Sequence, residues 1–258
     1  MSESTPSQSQ KDPHDVAVDT NEQPFLDHLI ELRSRILRSV LAIAVLFIPT
    51  YYFANELYAF IAEPLISRLP VGSTMIATQV ATPFFTPLKL AIFGAIFLGV
   101  PIWLHQMWAF ISPGLYRHEK RFAVPLLASS VALFYLGMAF VYYLVFPLVF
   151  AFFLSVGPTE VTIMTDINEY LNFVLKMFFA FGLAFEIPIA TMLMVWSGIT
   201  TPDKLAHKRP YVIVGCFVVG MLLTPPDVIS QLLLALPTWL LFEFGILIAR
   251  FTEKKQDT

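Results

Sequence analysis

Six apolar segments account for most of this chain, and the basic residues fall almost wholly in alternate connectors between them. Read by length and apolarity, the segments lie near Ile36–Phe53, Leu88–Ile111, Phe122–Leu154, Tyr170–Ile199, Tyr211–Leu223 and Val228–Ala249. With the connectors assigned alternately to two sides, 13 of the 16 Lys and Arg share a side with both termini, Arg33, Arg35, Arg38, Arg117, Lys204, Arg209 and Arg250 among them. Arg68 and Lys89 fall on the other side, and Lys176 falls inside a segment. This positive-inside bias places both termini in the cytoplasm. The expected fold is an all-α polytopic membrane protein of six transmembrane helices.

The third segment tests that parity, because Phe122–Leu154 is long enough for two short spans. No turn lies inside it: Gly137 stands alone and Pro147 has no polar neighbour. Two spans there would also move Lys204, Lys208 and Arg209 to the wrong side, so one long, tilted or kinked helix is expected. Composition agrees, with 14% charged residues against about 25% in soluble domains. The acids concentrate at the start: residues 1–24 hold Glu3, Asp12, Asp15, Asp19 and Glu22 against Lys11. This leader has little to bury and is expected to be disordered. It lacks a basic region followed by an apolar core, so it is not read as a signal peptide. The membrane domain is expected over residues 25–251, followed by a cytoplasmic tail, 252–258.

Nearly every segment contains proline: Pro49, Pro101, Pro125, Pro147, Pro188 and Pro237. Each removes a backbone hydrogen bond and bends its helix, which a membrane tolerates when neighbouring helices re-satisfy the backbone. Kinked helices forming a concave body are expected. The fifth segment has only 13 residues between Pro210 and Thr224, roughly 20 Å of helix against a hydrocarbon core of about 30 Å. The outer connector 54–87 contains a helical stretch, Asn55–Ile66, which Pro64 should end or bend, then the turn-rich Thr78–Pro87; together they form a cap on the outer face. Before the first span, Glu31 and Arg35 stand as an i,i+4 pair on an amphipathic helix.

Enzymatic chemistry has little support. There is no Gly-x-Ser nucleophile turn, no His-Glu-x-x-His, no Gly-Asp pair and no phosphate-binding glycine loop. The five histidines are scattered, and Cys216 is the one cysteine. No cofactor, metal or nucleic-acid partner is expected. What remains is a set of polar groups in costly places. Glu186 lies near the middle of the fourth segment, where an ionisable group costs several kcal/mol unless protonated, paired or wetted. It is either a neutral acid bonded to a neighbouring helix or a functional polar spot in a cavity. Glu119 sits between Arg117 and Lys120–Arg121, and its simplest reading is a solvated loop charge. Asp227 suits the N-cap of the sixth helix. Thr224 and Gln231 form a polar cluster at the outer end of the short span, suited to contact with another chain.

Several strings carry a resemblance to the TatC family, the polytopic core subunit of the twin-arginine protein translocase. They are HLIELRSRI at His28–Ile36, GSTMIATQVATPFFTPLK at Gly72–Lys89, WAFISPGLYRHEKR at Trp108–Arg121, FGLAFEIP at Phe181–Pro188 and KRPYVIVGCFVVGMLLTPPDVISQ at Lys208–Gln231. The resemblance runs from about Phe25 to Phe251. It implies a receptor in the bacterial cytoplasmic membrane that binds twin-arginine signal peptides of folded precursors and assembles with single-span TatA- and TatB-type subunits and further copies of itself. Export is then driven by the proton-motive force. Carried onto this chain, it implies signal-peptide binding by Glu31, Phe110 and Glu119 and a polar position in the concave face at Glu186. It also implies partner contacts at Met221, Thr224 and Gln231, and a cap position at Pro64. Arginine pairs with carboxylate in planar, often bidentate contacts, so two acids suit two arginines. The cations beside Glu119 oppose such a ligand, so the loop must present its carboxylate away from them. Read from the residues alone, a proton-coupled solute transporter is the runner-up, but it lacks paired broken helices and a second buried acid. An intramembrane protease lacks its nucleophile.

Overall fold

The computed structural model describes residues 13–70, 73–111, 123–156, 164–223 and 228–256. Among these the secondary structure is helical, apart from one isolated bridge between Ile76 and Asp166. The helices are α1 (Pro13–Tyr52), α2 (Ala54–Ile66), α3 (Thr82–Leu98), α4 (Val100–Ile111), α5 (Ala123–Phe140), α6 (Phe146–Val156), α7 (Ile167–Ala184), α8 (Ile187–Trp196), α9 (Pro202–His207), α10 (Arg209–Leu223) and α11 (Val228–Gln256). Val124–Val156, Ile167–Trp196 and Val228–Phe251 are each long and apolar enough to cross a membrane. Two bent pairs follow the same composition: Leu29–Tyr52 with Ala54–Ile66, bent by 77°, and Thr82–Leu98 with Val100–Phe110, bent by 50°. Arg209–Leu223 is a shorter apolar helix, fifth of the six in chain order. The helix α1 begins at Pro13, ahead of Phe25, where the sequence reading starts the membrane domain.

The irregularities trace to particular residues. The third span is one rod, as expected, and its defect is local. Pro147 cannot donate to the carbonyl of Tyr143, and the turn before it, Val141–Val145, widens to a π-helix that absorbs the mismatch. The second span breaks at Gly99, two residues before Pro101. The fourth breaks at Phe185–Glu186, because Pro188 leaves the carbonyl of Ala184 without its donor. The turn-rich reading of Thr78–Pro87 gives way to a helix from Thr82: Pro83 falls in the first turn, where a missing N–H is not needed. The fifth helix starts two residues before Tyr211, at Arg209, and still spans only about 22 Å. Its base is held by Arg209, whose Nε and Nη2 donate to Glu243 Oε1 and Oε2 on α11 at 2.6 and 2.7 Å.

The core is a cluster of aromatic rings where α3, α5, α6 and α7 meet, with Phe134, Phe146 and Phe181 fully buried. Two glycines let α5 and α7 approach. A Cβ at Gly182 would lie 2.6 Å from the Phe134 ring, and one at Gly137 would lie 2.6 Å from the Phe181 carbonyl oxygen. Small residues at such crossings are the usual route to close helix packing in a membrane, where solvent does not drive association.

The cap, α2, is tied to the body through its own defect. Pro64 cannot donate to the carbonyl of Phe60, four residues back. Tyr142, on the π-turn, donates its hydroxyl to that oxygen at 2.9 Å and stacks on the Phe60 ring at 4.7 Å. Tyr170 of α7 donates to the neighbouring carbonyl of Ile61 at 2.7 Å. The segment after the cap is then pinned to the start of α7. Ile76 exchanges backbone hydrogen bonds with Thr165 and Ile167, and Asp166 accepts from Thr78 N–H and Thr78 Oγ1. Lys89, which the sequence places at the start of the second segment on the side away from the termini, lies within α3 and donates to Asn168 Oδ1 and Asn172 Oδ1, each at 2.7 Å.

Candidate functional site

The expected site residues fall in separate places; Phe110 lines a groove between α1 and α4, and Glu31 is bonded to Arg35, another residue of its lining. Glu31 sits on α1, part-buried, and Phe110 lies near the end of α4. Between the two helices runs a groove of about 250 Å³ lined by Leu32, Arg35, Ile36, Ser39, Val40, Trp103, Gln106, Met107 and Phe110. Its walls are apolar except for Arg35, Ser39 and Gln106. The i,i+4 pair expected from spacing is formed: Arg35 Nε donates to Glu31 Oε1 at 3.0 Å, and Arg35 Nη2 reaches the same oxygen. The carboxylate is therefore held by a residue that lines the groove, in a partly dry setting where charge-assisted contacts are stronger than in water. Glu119, the other acid expected here, lies outside the described residues, as do Thr224 and Asp227.

Glu186 occupies the helix break between α7 and α8, and its surroundings include two residues that sequence reading missed. Trp108 Nε1 donates to Ser130 Oγ at 3.4 Å, and Ser130 donates to Glu186 Oε2 at 2.7 Å. Trp108 and Ser130 are buried, and Glu186 Oε1 is buried without a hydrogen-bond partner. The acid is thus bonded to a neighbouring helix while one oxygen keeps its capacity to accept or to carry a proton. This polar chain runs from α4 through α5 to the break before α8, and Trp108 stands two residues from Phe110. It links the groove-lining helix to the intramembrane acid. A tryptophan and a serine in separate apolar segments gave no sequence signal of that link.

At the far end of the short span, Met221 is exposed on α10. Gln231 of α11 donates Nε2–H to the carbonyl of Phe217 at 2.9 Å, and its side chain lies over Gly220. It thereby fixes α10 against α11 and leaves Met221 facing outward. Asp166 is a third residue missed from sequence. It caps α7 by accepting from the amides of Asn168 and Glu169 as well as from Thr78. The bonds from the Thr78 hydroxyl and amide, reinforced by the amides of Glu169 and Asn168, hold its carboxyl at about 2, below the ordinary 3.8. The motif was visible: Asp followed three residues later by Glu169, just before an apolar run, is a helix-start signature.

Bent apolar helices, three of them long enough to cross a membrane, and a broken span carrying an acid define a polytopic membrane protein. The family model described as Sec-independent protein translocase protein TatC matches residues 27–237. The chain belongs to the TatC family, a family of protein transport rather than of enzymes. It is 60% identical over 225 residues to the Sec-independent protein translocase protein TatC of Azotobacter chroococcum mcd 1, covering 87% of this chain and 88% of that protein. It is 56% identical over 229 residues to that of Escherichia coli strain K12, covering 89% of each. A crystal structure of the twin arginine translocase receptor TatC superposes with a TM-score of 0.79 at 38% identity, over 87% of this chain and 98% of that one.

Proposed function

We propose that this chain is the receptor subunit of a twin-arginine translocase, binding the arginine pair of a signal peptide with Glu31 and Glu119 beside the wall formed by Phe110. The observation that carries this reading is the part-buried Glu31 carboxylate bonded to Arg35, which lines one groove together with Phe110. It already accepts a guanidinium there, so the contact geometry suits a second one. Cations cross into hydrocarbon only at high cost, so a peptide arginine stops at this interface while the apolar residues behind it continue inward.

In this account the chain lies in the bacterial cytoplasmic membrane with both termini in the cytoplasm, its membrane domain spanning residues 25–251. The receptor works with single-span TatA- and TatB-type subunits and with further copies of itself. Met221 and Gln231 belong to the edge that meets a partner helix, to which the family resemblance adds Thr224, and the sequence assigns Asp227 to the N-cap of the sixth span. Glu186 serves as the polar position within the membrane body, and Pro64 sets the shape of the outer cap. The proton-motive force drives export of folded cargo.

The test is site-specific photocrosslinking. A photoreactive residue at position 110 should capture a twin-arginine peptide in native membranes, and one at Tyr143 on the opposite half of the body should not. Equal capture at both positions would refute the groove as the binding site.

A further inference from the structure

The carboxylate assigned to the peptide is not bare. Both donors of Arg35 fall on Oε1 of Glu31, and the side chains are 20% and 36% exposed, so the pair is partly shielded from water. Arg35 also lines the groove with Phe110. Across that groove, on α4, Gln106 Oε1 is buried without a hydrogen-bond partner. Native proteins seldom leave such an acceptor unused, and a guanidinium is the donor nearest in kind on the opposite wall.

We propose that Arg35 is a displaceable internal ligand of Glu31, and that Gln106 receives its guanidinium when a peptide arginine takes the carboxylate. This rests on the reading of Glu31 as a receptor for a peptide arginine. The resting pair keeps the acid ordered and keeps stray cations off it. Binding exchanges one guanidinium for another at Oε1, so little charge-assisted bonding is lost, and the displaced group gains an acceptor that was idle. The device sets a threshold. It lowers the apparent affinity of every ligand by the fraction of receptor in which the acid is available, without changing the ratio between two ligands. Selectivity for arginine over lysine then comes from the planar fork at the carboxylate, and Arg35 decides whether the weaker ligand registers at all.

The experiment uses the full chain in lipid nanodiscs and a fluorescent synthetic peptide carrying two arginines, with its two-lysine counterpart as the second probe. Arg35→Gln should tighten both peptides by the same factor, about threefold to tenfold if the acid is available in roughly 10–30% of resting molecules. Arg35→Lys, which keeps the charge but loses the fork, should fall between. Gln106→Leu should weaken binding about threefold in the parent and have no effect when combined with Arg35→Gln, since coupled groups are non-additive. Unchanged or weaker binding by both Arg35 variants, with Glu31→Gln still weakening the parent, overturns the displacement alone. Equal effects of Gln106→Leu in both backgrounds overturn the relocation. Unchanged binding by Glu31→Gln overturns the site itself, and the displacement with it.

Discussion

Replacing Tyr142 with Phe removes a hydrogen bond whose value depends on a proline in another helix, together with the hydroxyl's contact to the Glu63 side chain. The substitution keeps the ring stacked on Phe60, 4.7 Å away, and removes only the hydroxyl that reaches the Phe60 carbonyl. In a continuous helix that carbonyl would still hold the N–H four residues on. Here that residue is Pro64, so Tyr142→Phe leaves a carbonyl of the cap with neither donor. A fully buried unsatisfied acceptor costs about 1–3 kcal/mol, and this part-buried one falls at the low end of that range. Pro64→Ala restores an N–H at the right place, so in that background the same hydroxyl is a second, dispensable donor. The double-mutant cycle should show coupling of about 1 kcal/mol, larger than the mean of about 0.6 for hydrogen bonds between membrane helices. Thermal unfolding of purified protein in detergent, followed by tryptophan fluorescence, resolves this, since 1 kcal/mol corresponds to about 2–4 °C in a chain of this size. Additive shifts in Tm would refute the claim that Tyr142 compensates the proline.

Glu186→Gln should support near-normal export, because the amide can accept from Ser130, whereas Glu186→Leu should impair export at normal abundance; full activity of the leucine variant would end the case for a functional acid there. Cysteine at Met221 should form a disulfide with a cysteine-bearing partner helix in resting membranes, and no crosslink with both chains well expressed would count against that edge. The folded pKa of Asp166 is depressed, so its contribution to docking the cap is fully present above about pH 3.8 and is lost as the pH falls toward about 2. The protection factor of the Thr78 amide should fall across that window, Asp166→Asn should lower it at neutral pH, and a profile unchanged by Asp166→Asn would contradict the assignment.

The span positions were legible because apolarity, length and the basic-residue bias are local properties of the chain. The single long helix over Phe122–Leu154 and the helix at Asn55–Ile66 followed from them. What was not legible depends on residues distant in sequence. Gly137 read as an isolated glycine; its meaning lies in the Phe181 carbonyl that it meets across the α5–α7 crossing. Ser130 is one of two adjacent serines in an apolar run, and only the fold directs it to Glu186. Lys89 carries no partner signal in its own segment; two asparagines one turn apart on α7 hold it. The break at Gly99, just ahead of Pro101, shows the same limit. Proline marks that a helix will yield, and packing selects the residue at which it does.

The measurement that bears most directly on the receptor account is the affinity of a twin-arginine peptide and a twin-lysine peptide for the parent chain, Glu31→Gln and Glu119→Ala in bilayers. The parent should prefer arginine. Each variant should bind the arginine peptide about ten- to a hundredfold more weakly, the loss expected for one charge-assisted contact, while inserting normally into the membrane. Most of the preference for arginine should vanish with the carboxylate. An arginine preference that survives intact in both variants would place recognition elsewhere on the chain.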